Sequence, residues 1–194
     1  MRQPAKKLKR PESVLVVVYT RTGKVLLLRR TGTYQCRERH DSRDGGGRAT
    51  LGAVAEDVES DLHRTAPPSA TPLWQSVTGS LTWEETNPGD AARRELHEET
   101  GLILSGDVPE ATEGLRDLQH SSRYPILPAW RHRYAPDVQE NTEHAFALEL
   151  PAEILITVNP AEHDAYGWFP FEEAAEKVFS WTNREVILKL KAQG

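Results

Sequence analysis

Three glutamates near the middle of the chain have a spacing suited to metal binding. Glu95, Glu98 and Glu99 lie three and four residues apart, so an α-helix would place them on one face. Like charges at this spacing destabilise an isolated helix by roughly 0.2–0.5 kcal/mol per pair. A hard divalent cation such as Mg²⁺, which prefers oxygen ligands, would offset that repulsion. Arg94 lies four residues before Glu98 and is expected to orient its carboxylate.

A solvent-exposed acidic helix surface would show the same three glutamates, so the surrounding pattern has to decide between the two interpretations. The residues that matter are Gly79, Glu85, Arg94-Glu95-Leu96, Glu98-Glu99 and Gly101-Leu102. Together they resemble the box of the Nudix hydrolases, G-x5-E-x7-R-E-U-x-E-E-x-G-U, in which U is aliphatic. This resemblance implies a metal-dependent hydrolase that splits a pyrophosphate bond.

One interval departs from the family pattern. Eight residues, 86–93, separate Glu85 from Arg94 where the Nudix box has seven. The extra residue falls near Asn87-Pro88-Gly89, in a predicted loop, where added length costs little free energy. The R-E-L-x-E-E run is unchanged, so metal binding by the helix is still expected, whereas the role of Glu85 is left open.

Further segments resemble one Nudix group, the bacterial enzymes of folate synthesis that act on dihydroneopterin triphosphate. These segments are, in chain order, KRPESVLVVVY, WQSVTGS, RHRYAP, NTEHAF, AEHDAYGW and SWTNR. The resemblance implies an α/β (α+β) fold, the Nudix α/β/α sandwich with a mixed sheet. It also implies dependence on Mg²⁺, with Mn²⁺ as an alternative, and hydrolysis of the triphosphate to dihydroneopterin monophosphate and pyrophosphate.

The same resemblance assigns roles to individual residues. Glu95, Glu99 and Glu162 are expected to bind the metal, although a loop acid such as Glu162 would also be explained by simple exposure to solvent. Glu98 is the expected general base, and Arg94 completes the catalytic group. Substrate contacts are expected from Lys9 and Arg30 at the phosphates, and from Thr78, Tyr124, Pro125, Ile126, Leu127 and Ser180.

Two other functions stay open at this point. A pterin and a purine share a bicyclic hydrogen-bonding edge, so a broader hydrolase of (d)NTPs such as dATP would carry the same box. The third candidate is a non-catalytic Nudix module that binds a nucleotide. Such a module would be expected to lack the box glutamates, yet all three glutamates of the helix are present.

The elements that must position these residues follow from hydrophobic patterning and from turn and cap signals. A helix is predicted from Asn87, an N-cap followed by Pro88, to Gly101, which suits the left-handed C′ position. A second helix is predicted near residues 53–64. The other predictions are strands at 14–19, 24–30, 73–77, 144–150, 154–158 and 165–169 and helices at 171–179 and 183–191.

The composition predicts one globular domain spanning residues 1–194, with a flexible insertion at 31–72 that is polar and rich in glycine and proline. The net charge of 24 − 29 = −5 argues against a nucleic-acid partner. A single cysteine, Cys36, excludes an intramolecular disulfide. Without an apolar targeting or spanning segment, we expect a cytoplasmic protein with a small triphosphate substrate, no membrane contact and no obligate protein partner.

Overall fold

The computed structural model describes residues 8–31, 72–104 and 114–193. The predicted helix near residues 53–64 and nearly all of the predicted insertion lie outside these ranges. No helix in the described part of the chain is long and apolar enough to cross a membrane. The elements are β1 (Glu12–Thr20), β2 (Lys24–Arg30), β3 (Trp74–Gln75), β4 (Val77–Ser80), α1 (Pro88–Thr100), β5 (Arg116–Pro125), a 3₁₀ helix (Pro128–Arg133), β6 (Glu140–Leu150), β7 (His163–Pro170), α2 (Phe171–Lys177) and α3 (Trp181–Lys191).

The described strands form one mixed sheet built around β1. This strand runs parallel to β6, from Glu12 opposite Thr142 to Thr20 opposite Leu150, and antiparallel to β2 and β4. β2 also pairs with β3 and β7, and β5 pairs with the far edge of β6; all three pairings are antiparallel. The unbroken apolar run in β1, which is mostly valine, is explained by this central position, since the strand is buried on both faces.

Alternate residues of β1 enter two separate hydrophobic layers, because successive side chains of a strand point to opposite faces. Val14, Val16 and Val18 pack with α1 residues in one layer. Leu15 and Val17 pack with α2 and α3 residues in the other. Helices therefore cover both faces of the sheet, which confirms the predicted α/β/α sandwich. We refer to these surfaces as the α1 face and the α3 face.

The ends of α1 agree with the sequence signals. The Asn87 side chain accepts a hydrogen bond of 2.9 Å from the backbone N–H of Gly89, and Pro88 begins the helix. At the other end Gly101 has φ 74°, and its N–H donates to the carbonyl of His97 at 2.8 Å. A left-handed residue is tolerated best by glycine, so the sequence stops the helix directly after its glutamates.

The predicted strand at 154–158 is wrong, because this segment pairs with no strand in the part of the chain that the structure describes. Its backbone groups bond elsewhere: Thr157 N–H donates to Thr100 at the end of α1, and the carbonyl of Ile154 accepts from the Trp168 indole. Ile156 enters the core, whereas Leu155 is 91% exposed. Prolines at both ends, Pro151 and Pro160, favour such an irregular connection.

Other boundaries differ from the predictions by smaller amounts. β5 was not predicted, and β6 begins at Glu140 rather than at residue 144. α2 ends at Lys177, because Val178 is extended and forms a parallel bridge with Trp74. α3 begins at Trp181, two residues earlier than predicted.

Candidate active site

The carboxyl group of Glu95 lies against the backbone of β4. Gly79 leaves the space for it, since a Cβ atom at this position would overlap the Glu95 carboxyl. The Glu95 side chain is only 13% exposed. Burial is the main cause that raises its pKa to about 7, and the neighbouring Glu99 adds to the shift. The box glycine is thus explained by the close approach of α1 to the sheet.

Arg94 joins three of the carboxylates. Its Nε and Nη2 contact Glu85 at 2.8 and 3.0 Å, in a two-pronged ion pair. Its Nη1 contacts Glu95 at 2.8 Å and Glu98 at 3.1 Å, which confirms the predicted pairing with Glu98. The hydrogen bonds from Arg94 lower the pKa of Glu85 to about 2.

The contact between Glu85 and Arg94 resolves the question raised by the longer interval. Although eight residues separate them, the Glu85 carboxylate reaches the guanidinium with both oxygens. Glu85 also accepts from the backbone N–H of Thr82 at 2.7 Å. Glu85 therefore holds Arg94 in spite of the extra residue between them.

Glu99 is buried between β4 and β7. One carboxylate oxygen accepts from the backbone N–H of Thr78 at 3.3 Å, and the other lies 3.4 Å from Nε2 of His163. Glu99 is 2% exposed, and burial raises its pKa. Both ring nitrogens of His163 are buried without a hydrogen-bond partner among the described residues, because the approach to Glu99 lacks hydrogen-bond geometry.

These side chains have a donor set that fits a divalent cation. Glu99, Glu162 and His163 each offer one ligand atom, and the three atoms lie within 4.8 Å of one another. Burying a carboxylate beside unsatisfied imidazole nitrogens costs free energy unless a further group satisfies them. Carboxylate oxygens suit Mg²⁺ and Mn²⁺, and imidazole is also compatible with transition metals.

Glu162 is positioned from the end of β2. The backbone N–H and hydroxyl of Thr31 both donate to the Glu162 carbonyl, at 2.8 and 3.1 Å. Arg30, the preceding residue, is the strand partner of His163. The structure thereby brings the predicted phosphate ligand Arg30 and the predicted metal ligand Glu162 together, where the end of β2 meets the start of β7.

Lys9 is a further charged side chain near Arg30 and Glu162. Its Nζ donates to the Ser80 hydroxyl at 3.1 Å. The pKa of Lys9 is lowered, first by burial and then by the positive charges of Arg133 and Arg30, while Glu95 and Glu162 act in the opposite direction. Lys9 therefore lies within electrostatic reach of Arg30 and of two of the three predicted metal ligands, Glu95 and Glu162.

The other predicted substrate residues fall into a second group. The Tyr124 hydroxyl and the Thr182 hydroxyl both donate to Glu143, at 3.3 and 2.6 Å, and Ser180 lies 2.6 Å from Thr182. Pro125 ends β5, and after it Ile126 is buried and Leu127 is 38% exposed. Among the predicted substrate residues, Thr78 lies with the carboxylates, through the backbone contact to Glu99.

Sequence reasoning missed His163 and Glu143. His163 directly follows Glu162 in AEHDAYGW, so the segment that pointed to one ligand also contained the other. Glu143 lies in NTEHAF, two residues before Ala145, so this acid points to the same buried face of β6 as that alanine. An acid at such a position was the available signal, because carboxylates are seldom buried without a specific partner.

Comparison with known proteins connects this geometry to a family. A model of the NUDIX domain matches residues 54–190, which is more than half of the chain. The chain belongs to the Nudix family. Its Nudix box is the segment from Gly79 to Leu102, and α1 is the helix that carries three of the box glutamates, Glu95, Glu98 and Glu99.

Several proteins are similar to this Nudix chain over nearly its whole length. The dihydroneopterin triphosphate diphosphatase of Escherichia coli (strain K12) is 36% identical over 180 residues, 92% of this chain and 91% of the relative. The enzyme of the same name from Haemophilus influenzae is 31% identical over 93% of this chain and 87% of the relative. A solved structure of the E. coli dihydroneopterin triphosphate pyrophosphohydrolase aligns with a TM-score of 0.66 and 33% identity, covering 96% and 99% of the two chains.

Similarity to more distant structures extends to the fold alone. A C. elegans Ap4A hydrolase aligns with a TM-score of 0.53 over 93% of this chain and 95% of that chain, at 14% identity. The mixed sheet with helices on both faces is thus the Nudix fold.

Proposed function

We propose that this Nudix chain hydrolyses dihydroneopterin triphosphate to dihydroneopterin monophosphate and pyrophosphate, with Mg²⁺ as its metal and Mn²⁺ as an alternative. The observation that carries the proposal is the similarity to enzymes of that name, 36% identity across 92% of the chain.

The carboxylates at the edge of α1 support the metal assignment. Glu95, Glu99 and Glu162 would hold the cation, with His163 beside Glu99. A bound divalent cation supplies charge neutralisation on the phosphates and lowers the pKa of a bound water. Arg94 fixes the direction of Glu95 and Glu98, and Glu98 remains our candidate for the group that accepts the proton from water.

The positive side chains at the same edge support a polyphosphate substrate. Arg30 lies close enough to Lys9 for its positive charge to lower the pKa of Lys9. Two cations held near one another are stabilised by an anion that bridges them, and phosphate oxygens accept strong hydrogen bonds from both kinds of side chain. We infer that the phosphates lie between these cations and the metal ligands.

The test is release of pyrophosphate from dihydroneopterin triphosphate and from dATP, each assayed with Mg²⁺ and with EDTA. We expect turnover that requires Mg²⁺ and a kcat/KM for the pterin substrate well above that for dATP. Comparable values would replace the proposal with a broader nucleotide hydrolase. No release from either substrate by the folded protein would indicate a binding module instead.

A further inference from the structure

A row of polar side chains crosses the α3 face of the sheet. Ser13 of β1 is the strand partner of Ser80 in β4 and of Glu143 in β6, and Glu143 is the partner of Ser122 in β5. Strand partners point to the same side of a sheet, so these four side chains share one face. The next residue of β1 on this face, Leu15, belongs to the apolar layer under α3. The row is therefore a polar strip bordering an apolar core.

Glu143 is the only acid in this row, and it is 7% exposed. Both of its oxygens accept hydrogen bonds, one from Thr182 Oγ1 at 2.6 Å and one from the Tyr124 hydroxyl at 3.3 Å. Burial raises its pKa. No cationic side chain of the described residues pairs with it, which is uncommon for a buried carboxylate in a structural role.

The surroundings of Glu143 connect two predicted substrate residues. Asn141 Nδ2 donates to Ser13 Oγ at 2.7 Å and to the Tyr124 hydroxyl at 3.0 Å. On the other side, Ser180 is hydrogen-bonded to Thr182 at 2.6 Å. Tyr124 and Ser180 thus reach each other through Glu143, so the acid lies at the centre of the second group of predicted substrate contacts.

The strip also approaches the phosphate side of the molecule. Ser80 ends β4, and its hydroxyl accepts from Lys9, whose pKa responds to Glu95 and Glu162. The strip therefore runs from the residue that Lys9 contacts to Glu143, and Ser13 and Ser122 are each 9% exposed. The side chains beside Glu143 in the row are short, since both Ser13 and Ser122 are serines.

We propose that Glu143 is the specificity-determining residue for the ring, and that it accepts hydrogen bonds from the adjacent ring N–H and amino group of a 2-amino-4-oxopyrimidine edge. This inference rests on the proposed function, because it concerns the ring of the same substrate. A carboxylate offers two parallel acceptors, which match two adjacent N–H donors in a planar arrangement. The 3.3 Å contact from Tyr124 is the longer of the two, and it is the bond that a ring donor replaces.

The chemistry of the ring makes the proposal selective. Pterin and guanine both present the adjacent N–H and amino donors. Hypoxanthine keeps the N–H but lacks the amino group, and adenine presents an acceptor nitrogen where the N–H would be. A buried carboxylate left facing an acceptor is unsatisfied, so adenine is disfavoured by a missing partner as well as by repulsion.

The variant Glu143→Gln tests this with four substrates: dihydroneopterin triphosphate, GTP, ITP and dATP. The amide keeps the size of the side chain but replaces one acceptor with a donor. We expect kcat/KM to fall by on the order of 10–100-fold for the pterin substrate and for GTP, the range for a lost charge-assisted hydrogen bond. The value for dATP should be nearly unchanged, and the preference for GTP over ITP should disappear.

Matched variants separate selectivity from damage to the fold. Glu149→Gln makes the same change at a partly exposed position of β6 that pairs with Arg21, and it should leave all four values unchanged. Thr182→Val removes the hydroxyl that orients Glu143 and should give a smaller loss of the same selectivity. It also provides the test if Glu143→Gln does not fold.

Two results would overturn the inference. One is an equal loss for all four substrates in a variant with an unchanged melting temperature, and the other is an unchanged ratio of GTP to ITP. Calorimetry measures the affinities for GTP and ITP, and so tests the same preference without turnover. A wild-type protein that prefers GTP to ITP in binding but hydrolyses no triphosphate would contradict the proposed function and leave the role of Glu143 standing.

Discussion

The two faces of the sheet hold buried carboxylates in contrasting surroundings. On the α1 face, Glu95 and Glu99 lie near other acids, with Arg94 fixing one side of the group. On the α3 face, Glu143 is surrounded by hydroxyl groups and has no cationic partner among the described residues. Burial raises the pKa of all three acids. The carboxylates differ in the partner that would stabilise them: a cation on the α1 face, and neutral N–H donors on the α3 face.

This contrast suggests a division of work within one Nudix domain. The α1 face carries the box and would handle metal and phosphates, which are the same in every nucleoside triphosphate. The α3 face would handle the ring, which differs from one substrate to another. Changes on the α1 face should therefore alter the rate for every substrate, and changes on the α3 face should alter the preference among substrates or the stability of the sheet.

The largest effect is expected from Glu99→Gln. An amide cannot supply the negative charge that a divalent cation requires, so kcat/KM should fall by at least about 100-fold, because residues that merely orient metal ligands are already worth roughly 10–100-fold. Steady-state assays and titration with Mg²⁺ measure the loss. The variant should fold normally, since a glutamine of the same size can accept from Thr78.

The matched control is Glu176→Gln, the same substitution at an exposed position of α2. Its activity should equal that of the wild type. Near-normal turnover by Glu99→Gln would show that Glu99 is not a metal ligand.

A smaller loss is expected from Gly79→Ala. The new methyl group would overlap the Glu95 carboxyl, so Glu95 must move away from its position beside Arg94. A displaced ligand should lower kcat/KM by roughly 10–100-fold for every substrate, with little change in melting temperature. Gly114→Ala is the control, because a Cβ atom there meets nothing within 4 Å. Full activity of the Gly79 variant would mean that the position of Glu95 does not matter.

On the α3 face, Asn183→Ala should affect stability rather than metal binding. Asn183 is 1% exposed; its side chain accepts from the Ser76 backbone N–H and donates to the Ser76 hydroxyl, both at 2.9 Å. Truncation leaves a buried N–H unsatisfied and should lower the free energy of unfolding by about 1–3 kcal/mol. Denaturant unfolding measures this, with Arg184→Ala at an exposed position of α3 as control. A changed affinity of the folded variant for Mg²⁺ would contradict the expectation that the two faces act independently.

The smallest effect concerns the ion pair between Glu85 and Arg94. The folded-state pKa of Glu85 is about 2, below its ordinary value of 4.5, so its stabilising contribution is present above pH 4.5 and is lost as the pH falls towards 2. At neutral pH, Glu85→Gln should be less stable than the wild type by on the order of 1 kcal/mol. The difference should shrink on acidification below 4.5. A difference independent of pH would assign it to packing rather than to charge.

The parts of the fold that sequence could predict are those with strong local signals. The apolar runs of β1 and β2 predict a buried hairpin, and Asn87 and Gly101 mark the two ends of α1. β5 gave no such signal. Its burial alternates along the strand, but the inward positions are Leu118, His120, Ser122 and Tyr124, so polar side chains stand where an apolar alternation would have marked a strand. The segment 154–158 gave a false signal, because its apolar residues divide between the core and solvent.

The candidate site shows the same limit. Helical spacing is enough to bring Glu95, Glu98 and Glu99 to one region, since it depends on neighbours in sequence. The approach of His163 to Glu99 depends on β7 pairing with β2, which no local pattern encodes. The central place of Glu143 likewise follows from the parallel pairing of β1 with β6 and from the position of α3.

The most direct test of the two-face account is one ratio, kcat/KM for dihydroneopterin triphosphate divided by kcat/KM for dATP. It should be measured for the wild type, Glu99→Gln and Glu143→Gln, with single-turnover rates where activity is low. The account predicts that Glu99→Gln slows both substrates and leaves the ratio unchanged, while Glu143→Gln lowers the ratio. A ratio that changes with Glu99 and not with Glu143, or that changes equally in both variants, would contradict it.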